Sequence, residues 1–336
     1  MALGRRRSID PEDVRRAAEN ARAIEEGGLP LSTRRRLANL RSVEGSYTSD
    51  LSTSEFLLLR QAGFRPVSQV MGSCFYQTGF QYMPGMRRPT EYAPEGLSTP
   101  RSIYSGGFEY DSFGRRVYRN ATFGQLFDLD TETEAWQEAR RRALSRLSEE
   151  AKLAGAHAVV GVHLQRGSNH DWGRNLTEFL AVGTAVTSNR FDLGDEPVLS
   201  NLSGQDFAAL YASGYWPVGL VVGVSVIYVM TGAGQRLASG RFAPNSELKD
   251  YTQGVQHARK VAISRVSLEA AAFDAHGVVG LSLDVSRREH EHEHEGSWSR
   301  KQKDMIVTVH ALGTAIVQIE RTIEAPTVQL ALSLKE

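Results

Sequence analysis

Hydrophobic and polar positions along the chain change period several times, and each change marks an element. Val14, Ala17, Ala18, Ala21 and Ile24 recur at helical spacing after Asp10-Pro11-Glu12-Asp13, with Asp10 the expected N-cap, and Gly27-Gly28 stops the helix. A second short helix is expected from Ser32, with Arg34-Arg35-Arg36 in its first turn. This stripe is thin and alanine-rich, so the segment reads either as an arm that docks on the body or on a neighbouring subunit, or as a partly frayed surface arm. Ser54-Glu55-Phe56 opens a short helix ending near Gly63, and residues 65–76 read as a strand with Pro66 at its start. From Thr133 to Ala154, the residues Trp136, Ala139, Ala143, Leu147, Ala151 and Ala154 share one helical face, with Thr133 as the cap and Gly155 as the stop. Arg140, Arg141, Arg142, Glu149 and Glu150 lie mostly off that face and read as solvated. Strands are expected over 158–164 and 177–187.

The pattern is then written a second time. Gly155-Ala156-His157-Ala158-Val159-Val160-Gly161-Val162 returns as Asp274-Ala275-His276-Gly277-Val278-Val279-Gly280-Leu281. Gly63-Phe64-Arg65-Pro66-Val67 returns as Gly214-Tyr215-Trp216-Pro217-Val218, and Gly183-Thr184-Ala185-Val186 as Gly313-Thr314-Ala315-Ile316. Between them Tyr251, Val255, Ala258, Ala262, Val266, Ala270 and Phe273 make a second helical face. An internal duplication accounts for all of this. The fold class is α+β: two tandem small modules, each a β-sheet packed with one long helix, plus a helical N-terminal arm. The expected organisation is an arm over 1–50, a first module over 51–190 with a long insertion at 77–130, and a second over 199–321 with a His-rich insertion at 286–300. A C-terminal strand tail covers 322–336. Within it residues 327–334 alternate strictly, as a one-faced strand that adds to a sheet.

Charge and cysteine content narrow the function classes. Lys+Arg and Asp+Glu both count 39, so no net field recruits nucleic acid or anionic lipid. The one cysteine, Cys74, excludes an internal disulfide framework or a thiolate cluster within one chain, and in its apolar strand reads as an inert buried thiol. The apolar run 218–230 is too short to span a membrane and reads as a buried strand. No signal-peptide core opens the sequence, so a cytoplasmic protein is expected.

The glycine–alanine–X–alanine–valine–valine–glycine motif after an alanine-rich helix, closed by glycine–threonine–alanine, resembles the YbjQ-like putative heavy-metal-binding family, here as two tandem copies. The resemblance implies small α+β modules in ring-like homo-oligomers, often pentameric. This chain departs at Asp274, Gly277 and both motif histidines, and the arm and the first-module insertion are additions.

The sharpest candidate chemistry is Glu289-His290-Glu291-His292-Glu293-His294-Glu295. Extended, it puts His290, His292 and His294 on one side and the glutamates on the other. Imidazoles at this spacing suit Zn, Ni, Co or Cu, with Glu291 and Glu293 as further candidate ligands, against the alternative of a solvated loop. His157 and His276 fall just after helix stops and read as turn chemistry; His163 and His170 read as surface residues. Asp128, Asp130 and Glu132 resemble a weak cation site but sit at a helix start, where acids are favoured anyway. The aromatic, Arg-bearing insertion fits a protein partner better than single-stranded nucleic acid. No nucleophile elbow, phosphate loop or zinc-enzyme motif is present. The leading reading is a non-enzymatic, homo-oligomeric scaffold whose partners bind residues 1–50 or 77–130. The second is a metal-binding protein acting through His290–His294, and the third an enzyme with a site shared between subunits.

Overall fold

The computed structural model describes residues 11–42, 48–79, 109–110, 116–117, 125–168, 176–188, 196–232, 244–292 and 302–319. The Asp10 cap, most of the 77–130 insertion, His170, Glu293, His294 and the 327–334 tail lie outside them.

The arm consists of α1 (Pro11–Glu25) and α2 (Leu31–Ser42), with Gly27 at φ 87° between them. Leu29 and Leu37 are buried together with Ala154, so the arm docks on the body. Then follow α3 (Thr53–Gln61), β1 (Arg65–Gln77), a hairpin of β2 (Glu109–Tyr110) and β3 (Arg116–Val117), β4 (Gln125–Asp128), α4 (Asp130–Leu153), β5 (Ala158–Ser168) and β6 (Leu176–Thr187). The second half supplies β7 (Val198–Leu199), α5 (Gly204–Ala212), β8 (Tyr215–Met230), α6 (Lys249–Ala271), β9 (Gly277–His292) and β10 (Gln302–Gln318). One sheet runs β1-β6-β5-β7 and the other β4-β8-β10-β9. Neither sheet comes from one half of the chain. β4 precedes the first long helix yet pairs with β8, and β7 follows β6 yet runs parallel to β5.

The duplication is legible atom by atom. Gly72 on β1 faces α4 so closely that a Cβ would lie 2.6 Å from Leu147 N, and Gly223 on β8 faces α6, 2.8 Å from the Ala262 carbonyl carbon. Arg146 donates to the Ser73 carbonyl, and its duplicate Arg265 to the Val224 carbonyl. Gly161 and Gly280, at φ 64° and 61°, bulge β5 and β9, which explains the glycine after Val-Val. The threonine of Gly-Thr-Ala is explained too. Thr184 Oγ1 accepts the Asp50 amide at 3.2 Å, and Thr314 Oγ1 the Asn201 amide at 3.1 Å, tying the segment before each module to its sheet.

The first long helix starts before the expected Thr133. Its N-cap position is Leu129, which lacks a capping side chain, and Thr133 is buried in the second turn. Tertiary contact replaces the cap, since the Leu129 amide donates to the Val226 carbonyl at 2.9 Å. At the other end Gly155, φ 77°, and Asp274, φ 50°, take the left-handed conformation after α4 and α6, so Asp274 replaces glycine at a position aspartate tolerates.

Ala139, Ala143, Leu147 and Ala151 face the first sheet, while Val222, Val224, Val226 and Tyr228 of the second sheet join the same core. α4 therefore lies between two sheets, whereas among the described residues α6 packs on the far side of the second, over Val221, Ile227, Val229, Val307 and Val309. Phe273, expected on the buried face of α6, is 44% exposed.

Candidate functional site

The charge run of α4 is where the solvated reading fails. Glu150 is 2% exposed, and its carboxylate accepts the Met71 amide at 2.6 Å and the Arg36 guanidinium of the arm. Burial pushes the Glu150 carboxyl up, against the pull of the Met71 amide and Arg36. The second module repeats the arrangement. Glu269 accepts the Val222 amide at 2.7 Å, and Arg140 donates to Glu269 at 2.8 Å and to the Val222 carbonyl at 2.8 Å. Arg140 comes from α4, so this cluster pins one module to the other. The physical reason for the miss is that α4 has a second sheet behind it, and helical periodicity identifies only the more apolar of its two buried faces. Arg141 and Arg142 do keep to the helix surface, holding Glu138 at 2.8 and 2.6 Å and drawing its carboxyl down to about 2.

More of the junction between modules is polar. Gly161 N donates to Leu202 O at 2.7 Å, Val162 N to Ser200 O at 2.9 Å and Ser200 N to Val159 O at 2.9 Å. Arg166 on β5 pairs with Asp284 on β9, and Arg288 on β9 with Glu132 at the start of α4. Glu132 is thus an ion-pair partner, while Asp128 is raised by burial first and by Asp130 second. Between the sheets His310 packs edge-on against Trp136 at 5.1 Å and against Phe179 at 5.8 Å. Burial, then Arg166 and Arg140, holds His310 well below the usual imidazole range, so it is neutral.

The histidine run is part strand. Residues 286–292, expected within a loop insertion, belong to β9, paired with β10 so that His290 faces Asp304 and His292 faces Gln302. The long partner strand β10 carries the ladder this far. His290 packs on Tyr228 at 5.7 Å, and Asp304 is already occupied by the Tyr228 hydroxyl at 2.7 Å and the Thr231 amide at 2.9 Å. Among the described residues no three His, Cys, Asp or Glu side chains come together as metal ligands. Cys74 does not fit a thiolate site either, because burial raises its thiol. The donor set described thus falls short of a heavy-metal centre.

His157 and His276 are turn residues. The Nδ1 of His157 accepts the Ser188 amide at 3.1 Å and that of His276 accepts the Gln318 amide at 2.9 Å, duplicates of one bond. His163 is exposed. A cleft of about 350 Å³ lies between α2 and β1, with Leu29, Pro30, Arg36, Met71 and Glu150 among its lining. No helix among the described residues is long and apolar enough to cross a membrane.

These features define a duplicated α+β module that packs against its own kind. The chain belongs to the YbjQ family, described as "putative heavy-metal-binding", which it matches over residues 122–189 and again over 218–319. It is 35% identical over 254 residues to an encapsulin nanocompartment protein of Mycobacterium tuberculosis, covering 74% of this chain and 81% of that protein. A UPF0145 protein of Methanocella arvoryzae is 39% identical over 66 residues, 20% of this chain and 52% of that protein. No solved structure matches the chain.

Proposed function

We propose that this chain is a non-enzymatic subunit of a homo-oligomeric assembly, with its arm and the 77–130 insertion presented to protein partners in the cytoplasm. The observation that carries this reading is the junction inside the chain, where α4 is buried between two sheets and the modules exchange edge strands β4 and β7. A module built to bury its faces against another module is an assembly unit. The name of the mycobacterial relative, similar over most of both chains, supports the same reading. Native mass spectrometry of tag-free protein tests it. A single closed oligomer is expected, and a monomer at micromolar concentration would refute it.

One observation favours a second reading. β9 runs through His292, and strand alternation would set His290, His292 and, beyond it, His294 on one side, with Glu291 and Glu293 between. Gathered from several subunits, these imidazoles would hold Zn, Ni, Co or Cu. Calorimetric titration with Ni or Zn is expected to give integral binding per chain that replacement of His290, His292 and His294 by alanine abolishes. Weak, non-saturating heat would discard the metal reading and leave assembly untouched.

A further inference from the structure

We infer that the second module of one copy docks on the first module of another by repeating the junction already made inside the chain. This rests on the assembly reading and adds to it the partner, a second copy, and the register.

The internal junction buries positions whose duplicates are open. On the covering side Leu59, Leu129 and Val162 are 0%, 0% and 1% exposed; their duplicates Leu210 and Leu248 are half-buried and Leu281 is 43% exposed. On the covered side Val222 and Val226, beneath α4, are 3% and 0% exposed; their duplicates Met71 and Phe75 are 50% and 58% exposed. Each open position would be covered if α6 of another copy took on β1 the place that α4 takes on β8. Apolar residues left exposed by chance would not follow the duplication in this way.

The hydrogen-bonding groups follow the same rule. The Leu129 amide reaches the Val226 carbonyl, and the duplicates of these groups belong to Leu248 and Phe75. β4 pairs with the end of β8, Phe127 opposite Tyr228 and Asp128 opposite Ile227. The duplicate segment, residues 244–247, is exposed and in no strand, and duplication sets Ser246 opposite Gln77 and Glu247 opposite Tyr76 of another copy. On the first sheet β7 covers β5, whereas on the second no strand among the described residues pairs outside β9, where Asn201 Nδ2 donates to the Gly280 carbonyl at 2.7 Å. The Gly280 and Leu281 amides there duplicate those of Gly161 and Val162, and would meet the carbonyls of Leu51 and Ser49.

One side chain completes the match. Arg259 is exposed on α6 and duplicates Arg140. Docking brings it to Glu150, which duplicates Glu269. Arg36 holds that carboxylate in the free chain, so docking exchanges one arginine for another. The contact is heterologous, each copy offering one covering and one covered surface.

The test replaces Gln77 and Ser246, both exposed, by cysteine in a Cys74→Ala background under mild oxidation. Opposed strand positions lie within disulfide reach. The double variant is expected to give a ladder of disulfide-linked chains, and a mixture of the two single variants to give linked dimers and nothing larger. Phe75→Glu, at an exposed site that leaves the chain folded, is expected to weaken assembly at least tenfold in native mass spectrometry. An intact oligomer with no ladder, or one indifferent to Phe75→Glu, would overturn this junction and spare the assembly reading. A monomer throughout would overturn both.

Discussion

Gly72→Ala and Gly223→Ala make the same change at duplicate positions, and the fold predicts unequal costs. At Gly72 the new Cβ would lie 2.6 Å from Leu147 N, with the Ala143 carbonyl oxygen closer still. Ordinary contact needs about 3.5 Å and the carbonyl oxygen is the nearer atom, so the helix must retreat by more than about 1 Å. Backbone atoms are the obstacle, and no side-chain rotation removes them. α4 cannot retreat without running into Val222 and Val226 of the other sheet. A gap of that size forfeits roughly a third of the dispersion of Leu147, which at about 50 contacts of about 0.15 kcal/mol each is about 2.5 kcal/mol before the alanines beside it are counted. In the undocked chain α6 has solvent behind it and can yield. Gly223→Ala should therefore cost about 1–3 kcal/mol, the usual range for overpacking, and Gly72→Ala about 3–5 kcal/mol. Urea unfolding of the two variants in a Phe75→Glu background, which keeps the chains undocked, measures the difference. If Gly72→Ala proves no more costly than Gly223→Ala, the sandwiched position of α4 does not control its compliance and the reasoning fails.

Three further outcomes are expected. His310 is neutral when folded and titrates near 6.5 when unfolded, so the unfolded chain binds the extra proton and stability falls as pH drops through 6.5. From about pH 7.5 to about pH 5.5 the parent should lose about 1.4 kcal/mol relative to His310→Leu, which carries the residue found at the duplicate position Leu180; equal pH slopes in denaturant titrations would refute this. Thr314→Val keeps the shape but strips the partner of the Asn201 amide and the Ser200 hydroxyl, and a fall of about 1–3 kcal/mol is expected in thermal unfolding, against no change if water replaces the hydroxyl. In the undocked chain Arg36→Ala removes the ion partner of Glu150, whose folded carboxyl is already raised. The folded state then holds its proton more tightly than the unfolded one, so the variant should lose about 1 kcal/mol or less at neutral pH, the arginine being 61% exposed, and nothing below about pH 4. A pH-independent loss would mean that Arg36 acts through packing.

The sequence announces the duplicated modules because their apolar runs repeat: the stripe from Trp136 to Ala151 and its copy in α6, the Val-Val-Gly bulges, and the Gly-Thr-Ala strands all appear where expected. The junction is hidden for definite reasons. β4 is four residues long and lies inside an insertion, so no alternation marks it, and its partner β8 is far along the chain. Glu150 and Arg140 look like surface charges because a helical wheel records the residue types on each face but not the second sheet behind them. The histidine run is ambiguous for the opposite reason. Alternating Glu and His suits either a solvated loop or an edge strand, and the length of β10 decides for the strand as far as His292.

Fusing two modules in one chain has an arithmetic consequence. A single-module subunit can close a ring with any number of members, odd or even. Here each chain brings two modules whose relative placement is fixed by α4 and the exchanged strands, so a closed head-to-tail arrangement always contains an even number of them. With the docking inferred above, contacts would alternate between one made at folding, whatever the concentration, and one made at association. The two classes would be free to diverge: valines line the internal contact, where Met71 and Phe75 line the surface inferred for the other.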